Sequence, residues 1–309
     1  MAKLTAEQIA SVKGRGFLRN RGTDCFSGRI VPRGCVFSAD ELAAVAELSR
    51  RYGNGRVAFT SRLNAEVAGI PFERIAEAEG FAAENGLAFG GTGAKIRPVT
   101  ACKGTTCVFG NFDTQALARR IHDVFYIGWK DVSLPHKFKI GIGGCPNSCM
   151  KPSLNDFGVE GHRLPAVNPD ACRGCGTCAV EKACPVNAAS LESGKITLSD
   201  SCITCGVCAS RCPFGAVPEE AVRFRIFVGG TWGKTTRMGT PLSRLVTAEE
   251  VLPLLEKPLL WYRENGYTKE RLGKTVDRLG VEALETALFT DELLDRREAI
   301  LAAPLKVAP

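Results

Sequence analysis

Cys172-Arg173-Gly174-Cys175-Gly176-Thr177-Cys178-Ala179-Val180-Glu181-Lys182-Ala183-Cys184-Pro185 is answered, thirty residues later, by Cys202-Ile203-Thr204-Cys205-Gly206-Val207-Cys208-Ala209-Ser210-Arg211-Cys212-Pro213. Each row steps three cysteines by three residues and ends on a cysteine before proline, so the pair is a small internal repeat. Three thiolates at that spacing wrap one face of an iron–sulfur cube, and the fourth ligand of each cube comes from the other row. This rule assigns Cys172, Cys175, Cys178 and Cys212 to one [4Fe-4S] cluster, and Cys202, Cys205, Cys208 and Cys184 to another. Structural zinc also uses CxxC pairs, but a closed tetrahedral site has no use for a third step followed by Cys-Pro.

The surrounding chain suits such chemistry. It has 309 residues, 45% of them hydrophobic and 24% charged, enough for a sizeable core, which excludes disorder as the main state. No stretch approaches the apolar length of a membrane span, and Met1 to Glu7 lacks the apolar run of a signal peptide, so a cytoplasmic protein is expected. Fourteen cysteines in such a chain point to metal rather than disulfides. The net charge of +7 suits an anionic ligand or acidic partner, but is too mild and scattered for nucleic acid.

The rows and their flanks resemble a bacterial two-cluster ferredoxin, with one departure: five residues, not the usual three, separate Cys178 from Cys184. Such a lengthened loop can alter one cluster's potential or exposure. This segment accounts for residues 165–222. Outside it stand Cys102-x4-Cys107, after Arg97-Pro98-Val99-Thr100-Ala101, and Cys145-x3-Cys149, within Gly143-Gly144-Cys145-Pro146-Asn147-Ser148-Cys149. Four thiolates from two loops make a third [4Fe-4S] site, and the glycines suggest backbone lying close to something bulky.

On these motifs the chain resembles the siroheme-containing sulfite and nitrite reductases, and most of all the siroheme-binding chain of anaerobic, dissimilatory-type sulfite reductases. The first cysteine pair is one residue shorter than the usual spacing, as in the small and dissimilatory branches. The resemblance implies an α+β fold: a ferredoxin-like half-module over 1–95, a siroheme and [4Fe-4S] module over 96–164 and 223–309, and the two-cluster ferredoxin inserted at 165–222. It implies siroheme and three [4Fe-4S] clusters as cofactors, with Cys149 bridging its cluster to the siroheme iron. It makes Arg97, Lys137 and Lys139 the residues that hold the substrate oxyanion, with Arg29 a looser match. Arg62 would meet siroheme carboxylates, and Gly230, Lys234 and Arg237 would line the same cofactor. A solvated or surface-paired side chain is the plain alternative for each cation.

Residues 229–237 nearly spell a P-loop, but only three residues separate Gly229 from Gly233, so nucleotide binding is not expected. The histidines share no metal-ligand spacing. His122 reads as a helix-surface residue and His136 as a neighbour of the anion strand able to relay protons. Cys25 and Cys35 complete no four-ligand set and read as small buried hydrophobes. The local patterns predict helices over 38–51, 71–85 and 113–125, one capped by Thr247 to Glu250, and a helical region from Thr268 to about Arg297. Strands are expected over 55–60, 138–142 and 223–228.

The implied activity is six-electron reduction of sulfite to sulfide, with nitrite reduction to ammonia as the nearest alternative. A non-catalytic polyferredoxin is the alternative from another class. No nicotinamide or flavin fingerprint is present, so electrons must come from a donor protein or from flavin or iron–sulfur subunits. A single core module, where large enzymes of the family carry two, implies a homodimer or hetero-oligomer.

Overall fold

The computed structural model describes residues 4–209, 211–218 and 221–309. The chain forms two compact units. The first takes Met1–Thr100, Gln115–Ile140 and Glu256–Pro309; the second takes Ala101–Thr114 and Gly141–Leu255. The sequence segment 96–164 thus contributes to both. No helix among the described residues is long and apolar enough to cross a membrane.

In the first unit, α1 (Ala6–Lys13) leads into a four-stranded antiparallel sheet of β1 (Phe17–Arg19), β2 (Cys25–Ile30), β3 (Val57–Phe59) and β4 (Ala65–Pro71). Their order is β1-β2-β4-β3. The period of two puts Phe26 and Ile30 inward and leaves Arg29 on the other face of β2. Between β2 and β3 runs α2 (Ala39–Tyr52), opened by a reciprocal box: Glu41 N–H donates to Ser38 Oγ at 3.1 Å, and Ser38 N–H to the Glu41 carboxylate at 2.7 Å. Val45 and Leu48 from this helix join Phe17, Phe26, Ile30, Val67 and Ile70 in one core. Burial of each large side chain contributes about 1.5–3 kcal/mol.

The helix expected from Pro71 starts later. Pro71 closes β4 in extended conformation, Phe72–Arg74 is a 3-10 turn, and α3 runs Ile75–Glu84. A fixed proline φ serves a strand end as well as a helix start. The helix expected over 113–125 begins as α4 (Thr114–Ile121) and widens into a π-helical stretch, His122–Ile127. Within that stretch His122 and Phe125 are buried while Val124 and Ile127 stay exposed. This corrects the reading of His122 as a surface residue: it is 6% exposed and lies 5.0 Å from the Tyr126 ring.

The second unit is built on a five-stranded sheet in the order β11-β10-β7-β6-β5. Its strands are β5 (Thr100–Ala101), β6 (Ile140–Gly143), β7 (Phe157–Arg163), β10 (Val222–Val228) and β11 (Thr240–Pro241). The cysteine-row segment leaves the sheet at Arg163 and returns at Val222, and these two residues are register partners on antiparallel β7 and β10. The segment therefore hangs from two adjacent stems. It holds the helical turn α5 (Ala179–Ala183) and a hairpin of β8 (Ala189–Glu192) and β9 (Lys195–Leu198). The α5 turn occupies the five-residue gap between Cys178 and Cys184, with Val180 buried against Ala189, Ile196 and Val217.

After the Thr247–Glu250 turn, where Thr247 N–H donates to the Glu250 carboxylate at 2.7 Å, α6 runs Val251–Asn265. The carboxyl-terminal part of the first unit is four short helices rather than one region: α7 (Leu272–Leu279), α8 (Val281–Leu288), α9 (Glu292–Asp295) and α10 (Arg297–Ala302). Gly280, at φ +93°, sits between α7 and α8 in a conformation that interrupts a helix.

Candidate active site: a sulfur-ligand set and a cationic cluster

Both loop pairs of the third cysteine set lie in the second unit. Cys102 follows β5, Cys145 follows β6, and Cys102 N–H donates to Ile142 O at 3.0 Å, so the sheet brings the two loops together. The thiol of Cys145 is pushed up first by burial, then by the neighbouring sulfurs of Cys102, Cys107 and Cys149, which places all four at one locus. Gly144 N–H donates to Cys102 Sγ at 3.2 Å. A Cβ on Gly144 would lie 3.1 Å from Gly104 Cα and 3.3 Å from Cys102 Sγ, so the close approach requires glycine. Three of the cysteines are half-buried and Cys149 is exposed, leaving the set open on the Cys149 side.

The two rows interlock. Cys172, Cys175, Cys178 and Cys212 line one cavity of about 100 Å3. Cys202, Cys205, Cys208 and Cys184 line another. The thiol of Cys208 is raised by burial and then by Cys202, Cys205 and Cys184. Backbone amides point at the sulfurs: Ile196 N–H donates to Cys172 Sγ at 3.3 Å and Ala188 N–H to Cys184 Sγ at 3.1 Å. Amides of Gly174 and Ile196 pull the Cys172 thiol below its usual range. Among the described residues no three His, Cys, Asp or Glu side chains converge tightly enough for a single metal ion. Sulfurs arranged around a void fit a multi-iron cluster, whose ligands stand apart from one another.

The expected anion residues all lie in the first unit. Ile96 pairs with Phe138 in a parallel bridge, Arg97 N–H donates to Phe138 O at 2.8 Å, and Phe138 N–H to Lys95 O at 3.1 Å. Ile96 and Phe138 are buried, at 5% and 0% exposure, so the alternation puts Arg97, Lys137 and Lys139 on the opposite face. Arg29 reaches the same place from β2. Its Nη1 donates to Gly91 O at 3.0 Å, and Arg97 Nη1 donates to that same carbonyl at 2.5 Å. Arg29 also pairs with Glu66 across the sheet at 2.6 Å.

Arg97 is held in an unfavourable field. Burial, then the like charges of Arg29 and Arg271, pull its pKa down to about 10, while Tyr126 opposes the fall. An arginine keeps its proton at neutral pH, so the depression measures how poorly its charge is balanced. Its buried Nε has no hydrogen-bond partner among the described residues. His136, whose Nδ1 accepts from Lys137 N–H at 2.8 Å, is pushed below the usual imidazole range by burial, then by Lys137, Arg271 and Arg97.

Two members of this cluster were not legible in the sequence. Tyr126 comes in on the π-helical stretch, with burial raising its pKa and the Gly91 backbone lowering it. Arg271 stands at the start of α7, and Lys269 N–H donates to Pro135 O at 2.8 Å, which sets that turn beside the Lys137 segment. No local pattern marks either residue. Arg62, expected at a cofactor carboxylate, donates from Nη2 to Pro98 O at 2.6 Å and to Ile140 O at 3.0 Å.

Gly230, Lys234 and Arg237 fall on a tight hairpin of the second unit, closed by Thr231 and Arg237. Gly230 is buried against Ser153 and Asn155, Lys234 is exposed, and Arg237 Nη1 donates to Gly229 O at 3.2 Å and Met238 O at 3.0 Å. At the tip, Trp232 is 63% exposed, with Lys151 Nζ 5.6 Å from its ring centre. Cys35 Sγ lies 3.0 Å from Val99 O, and Cys25 is half-buried on β2, apart from the sets above.

Comparison with known proteins gives this geometry a family. Residues 92–295 match the nitrite and sulphite reductase 4Fe-4S domain, and residues 19–84 the nitrite/sulfite reductase ferredoxin-like half domain. A coenzyme F420-dependent sulfite reductase of Methanocaldococcus jannaschii is 32% identical over 85% of this chain and 42% of its own length. A chain of the anaerobic sulfite reductase of Salmonella typhimurium is 32% identical over 59% of this chain and 56% of its own. The chain therefore spans about half the length of these two relatives. A crystal structure of dissimilatory sulfite reductase I shares the fold, with TM-score 0.70 and 22% identity over 92% of this chain and 72% of that one. The chain belongs to the nitrite and sulphite reductase family, an oxidoreductase family, with the mixed α and β fold of that family's half domain and 4Fe-4S domain.

Proposed function

We propose that this protein is the catalytic chain of a siroheme-dependent sulfite reductase. The observation that carries the reading is the cationic cluster of Arg29, Arg97 and Arg271, with Lys137 beside His136, where burial and like charges depress the Arg97 pKa. An anion with several oxygens suits it: an arginine fork grips two oxygens, and a lysine offers both charge and a proton. The exposed Cys149 fits a cluster that faces a second redox group, and the abundance of cations fits a macrocycle bearing carboxylates. Siroheme coupled to a [4Fe-4S] cluster would supply the electron-transfer chemistry that no amino-acid side chain can.

The chain's own residues bind, orient and protonate. Arg97 and Arg29, tied to one carbonyl at Gly91, hold the oxyanion in a fixed register. Lys137 and Lys139, on the same face as Arg97, donate protons as oxygen leaves. His136, kept neutral near pH 7 by burial and its cationic neighbours, accepts a proton more readily once an anion offsets them. Arg62, Gly230, Lys234 and Arg237 hold or border the siroheme, while Cys102, Cys107, Cys145 and Cys149 hold its cluster. The two interlocked rows hold two ferredoxin-type clusters that bring electrons from a donor protein, in a homodimer or hetero-oligomer.

The test is purification without oxygen, extraction of pigment, and the visible spectrum of reduced protein with and without sulfite. A siroheme spectrum shifted by sulfite is expected, and a bare iron–sulfur shoulder from siroheme-replete cells would sink the reading. Replacing Lys137 and Lys139 together by alanine removes sulfite turnover while cofactor content stays; survival of both overturns the anion-site assignment. Nitrite reduction to ammonia is the second reading, favoured by the breadth of the family itself. Turnover of the two anions in competition separates them. A pure electron carrier has no use for the cluster around Arg97.

A further inference from the structure

The cysteine-row segment hangs from two neighbouring stems, Arg163 and Val222. A buried polar chain ties it to β7 beyond those stems. Glu160 and His162 sit two apart on β7, facing one way, at 7% and 3% exposure. His162 Nε2 lies 3.0 Å from Glu160 Oε1, and Nδ1 lies 2.6 Å from Thr204 Oγ1. A carboxylate can only accept, so Nε2 faces Glu160 as the donor, while the Thr204 hydroxyl, which also donates to Ile203 O at 2.8 Å, lies against Nδ1. Thr204 lies between two ligands of the second row, and its N–H points at Cys202 Sγ, 3.4 Å away.

Further contacts hold the same loop. Arg163 N–H donates to Thr204 O at 2.9 Å, and Arg163 pairs with Cys205 in a parallel bridge. Thr204 stands at φ +51°, an outlier for a β-branched residue that persists only where its surroundings impose it. A Cβ on Gly206 would lie 2.8 Å from Arg163 Cβ and 3.1 Å from Asn111 Oδ1, so the second row is pressed against Asn111. Asn111 N–H in turn donates to Gly144 O at 2.9 Å, one residue from Cys145. A continuous path of contacts thus runs from Cys205 to the Cys145 loop. Both row cavities are lined by the inserted segment alone, so what distinguishes the second row is its contacts with Arg163 and Asn111.

We infer that the second-row cluster set, Cys202, Cys205, Cys208 and Cys184, is the inner relay, and that the Glu160–His162–Thr204 chain is the joint that holds it toward the Cys102, Cys107, Cys145 and Cys149 set. The first-row set is then the outer relay, where an external donor delivers electrons. His162 and Thr204 are positioning residues. The inference rests on the cluster reading given above but does not depend on sulfite being the substrate.

The test uses whole protein purified without oxygen, with Thr204→Val, which removes only the hydroxyl function, and Thr204→Ser, which restores it. Cys175→Ser and Cys205→Ser assign the outer and inner electron paramagnetic resonance signals. In Thr204→Val, iron content stays at the wild-type level, the inner signal and its magnetic interaction with the Cys102–Cys149 cluster change, and the outer signal does not. Electron passage into that cluster falls by about 10- to 100-fold, the usual range for loss of a partner behind a ligand. Thr204→Ser returns all of these to wild type. A change confined to the outer signal, or no change in either signal or rate, overturns the inference. If Thr204→Val loses iron, His162→Gln carries the same expectation, since it alters no residue of the cysteine rows. Wild-type protein lacking two four-iron clusters in the inserted segment would overturn the cluster reading itself.

Discussion

Arg97→Met should leave the ligand-free protein about as stable as wild type while abolishing its response to anions. Methionine keeps the length of the side chain and removes the charge. The fall of the Arg97 pKa from the ordinary arginine value to about 10 bounds what the charge costs in place. At about 1.36 kcal/mol per pKa unit that is about 3 kcal/mol, an upper limit because water and side-chain relaxation screen a half-buried group. Against it stands the charged hydrogen bond to Gly91 O, a contact of about 1.5–3 kcal/mol. That carbonyl keeps its bond from Arg29, so no acceptor is stranded. The balance is close to zero, within about 1 kcal/mol, which is about 2 °C in melting midpoint. The assay is thermal unfolding of wild type and variant across a sulfite series, with phosphate as a second anion. Wild type should gain about 2.7 kcal/mol at a ligand concentration a hundred times Kd, and the variant nothing. A midpoint several degrees lower in Arg97→Met, together with equal stabilisation of both proteins by sulfite, would refute the reasoning and make Arg97 a structural residue.

Other expectations are independent of that one. Gly144→Ala forces a methyl against Gly104 and Cys102 Sγ, so iron bound per chain should fall by one four-iron cluster while the inserted segment keeps its own. Burial depresses the His122 pKa in the folded state, so the unfolded chain binds the extra proton first as pH falls; stability drops below about pH 6.5, and His122→Gln should flatten a melting curve series from pH 7 to 5. Glu250, held down to about 2 by Arg244 and then the Thr247 amide, contributes stability above its unfolded pKa that disappears as pH falls through about 2. Because the pair is exposed, Glu250→Gln should cost only about 0.5–1 kcal/mol at neutral pH, read as a denaturant midpoint.

The grouping of the cysteines was legible because spacing along the chain constrains which thiols can meet, whatever the rest of the fold does. The exchange of Cys184 and Cys212 between rows is a consequence of the repeat, and the structure brings those residues into the two cavities the spacing implies. The α5 turn in the Cys178–Cys184 gap was not legible, since five residues are too few to show a helical period. The Lys137-Phe138-Lys139 alternation showed which side chains share a face, but not that Ile96 supplies the pairing partner. Arg271 and Tyr126 were invisible for a different reason. One enters through a long-range backbone bond from Lys269 to Pro135, the other through a π-helical widening that no residue type announces. Pro71 and His122 misled because a proline and an amphipathic period each fit two local structures.

The cationic cluster and the buried Glu160–His162–Thr204 chain are opposite uses of polar groups. In the chain each buried polar group has a partner: the Glu160 carboxylate and the Thr204 hydroxyl each reach a His162 ring nitrogen, and the hydroxyl also donates to Ile203 O. Around Arg97 the matching is withheld. Arg29 has Glu66, yet Arg97 meets a shared carbonyl and the repulsion of Arg29 and Arg271, with its Nε buried. A surface selected for stability alone would have placed a carboxylate there. A carboxylate would also occupy the position of an oxyanion and cancel the field that binds it. The imbalance is what the proposed anionic substrate requires, since a structural ion pair would fill the place where its negative charge is to sit.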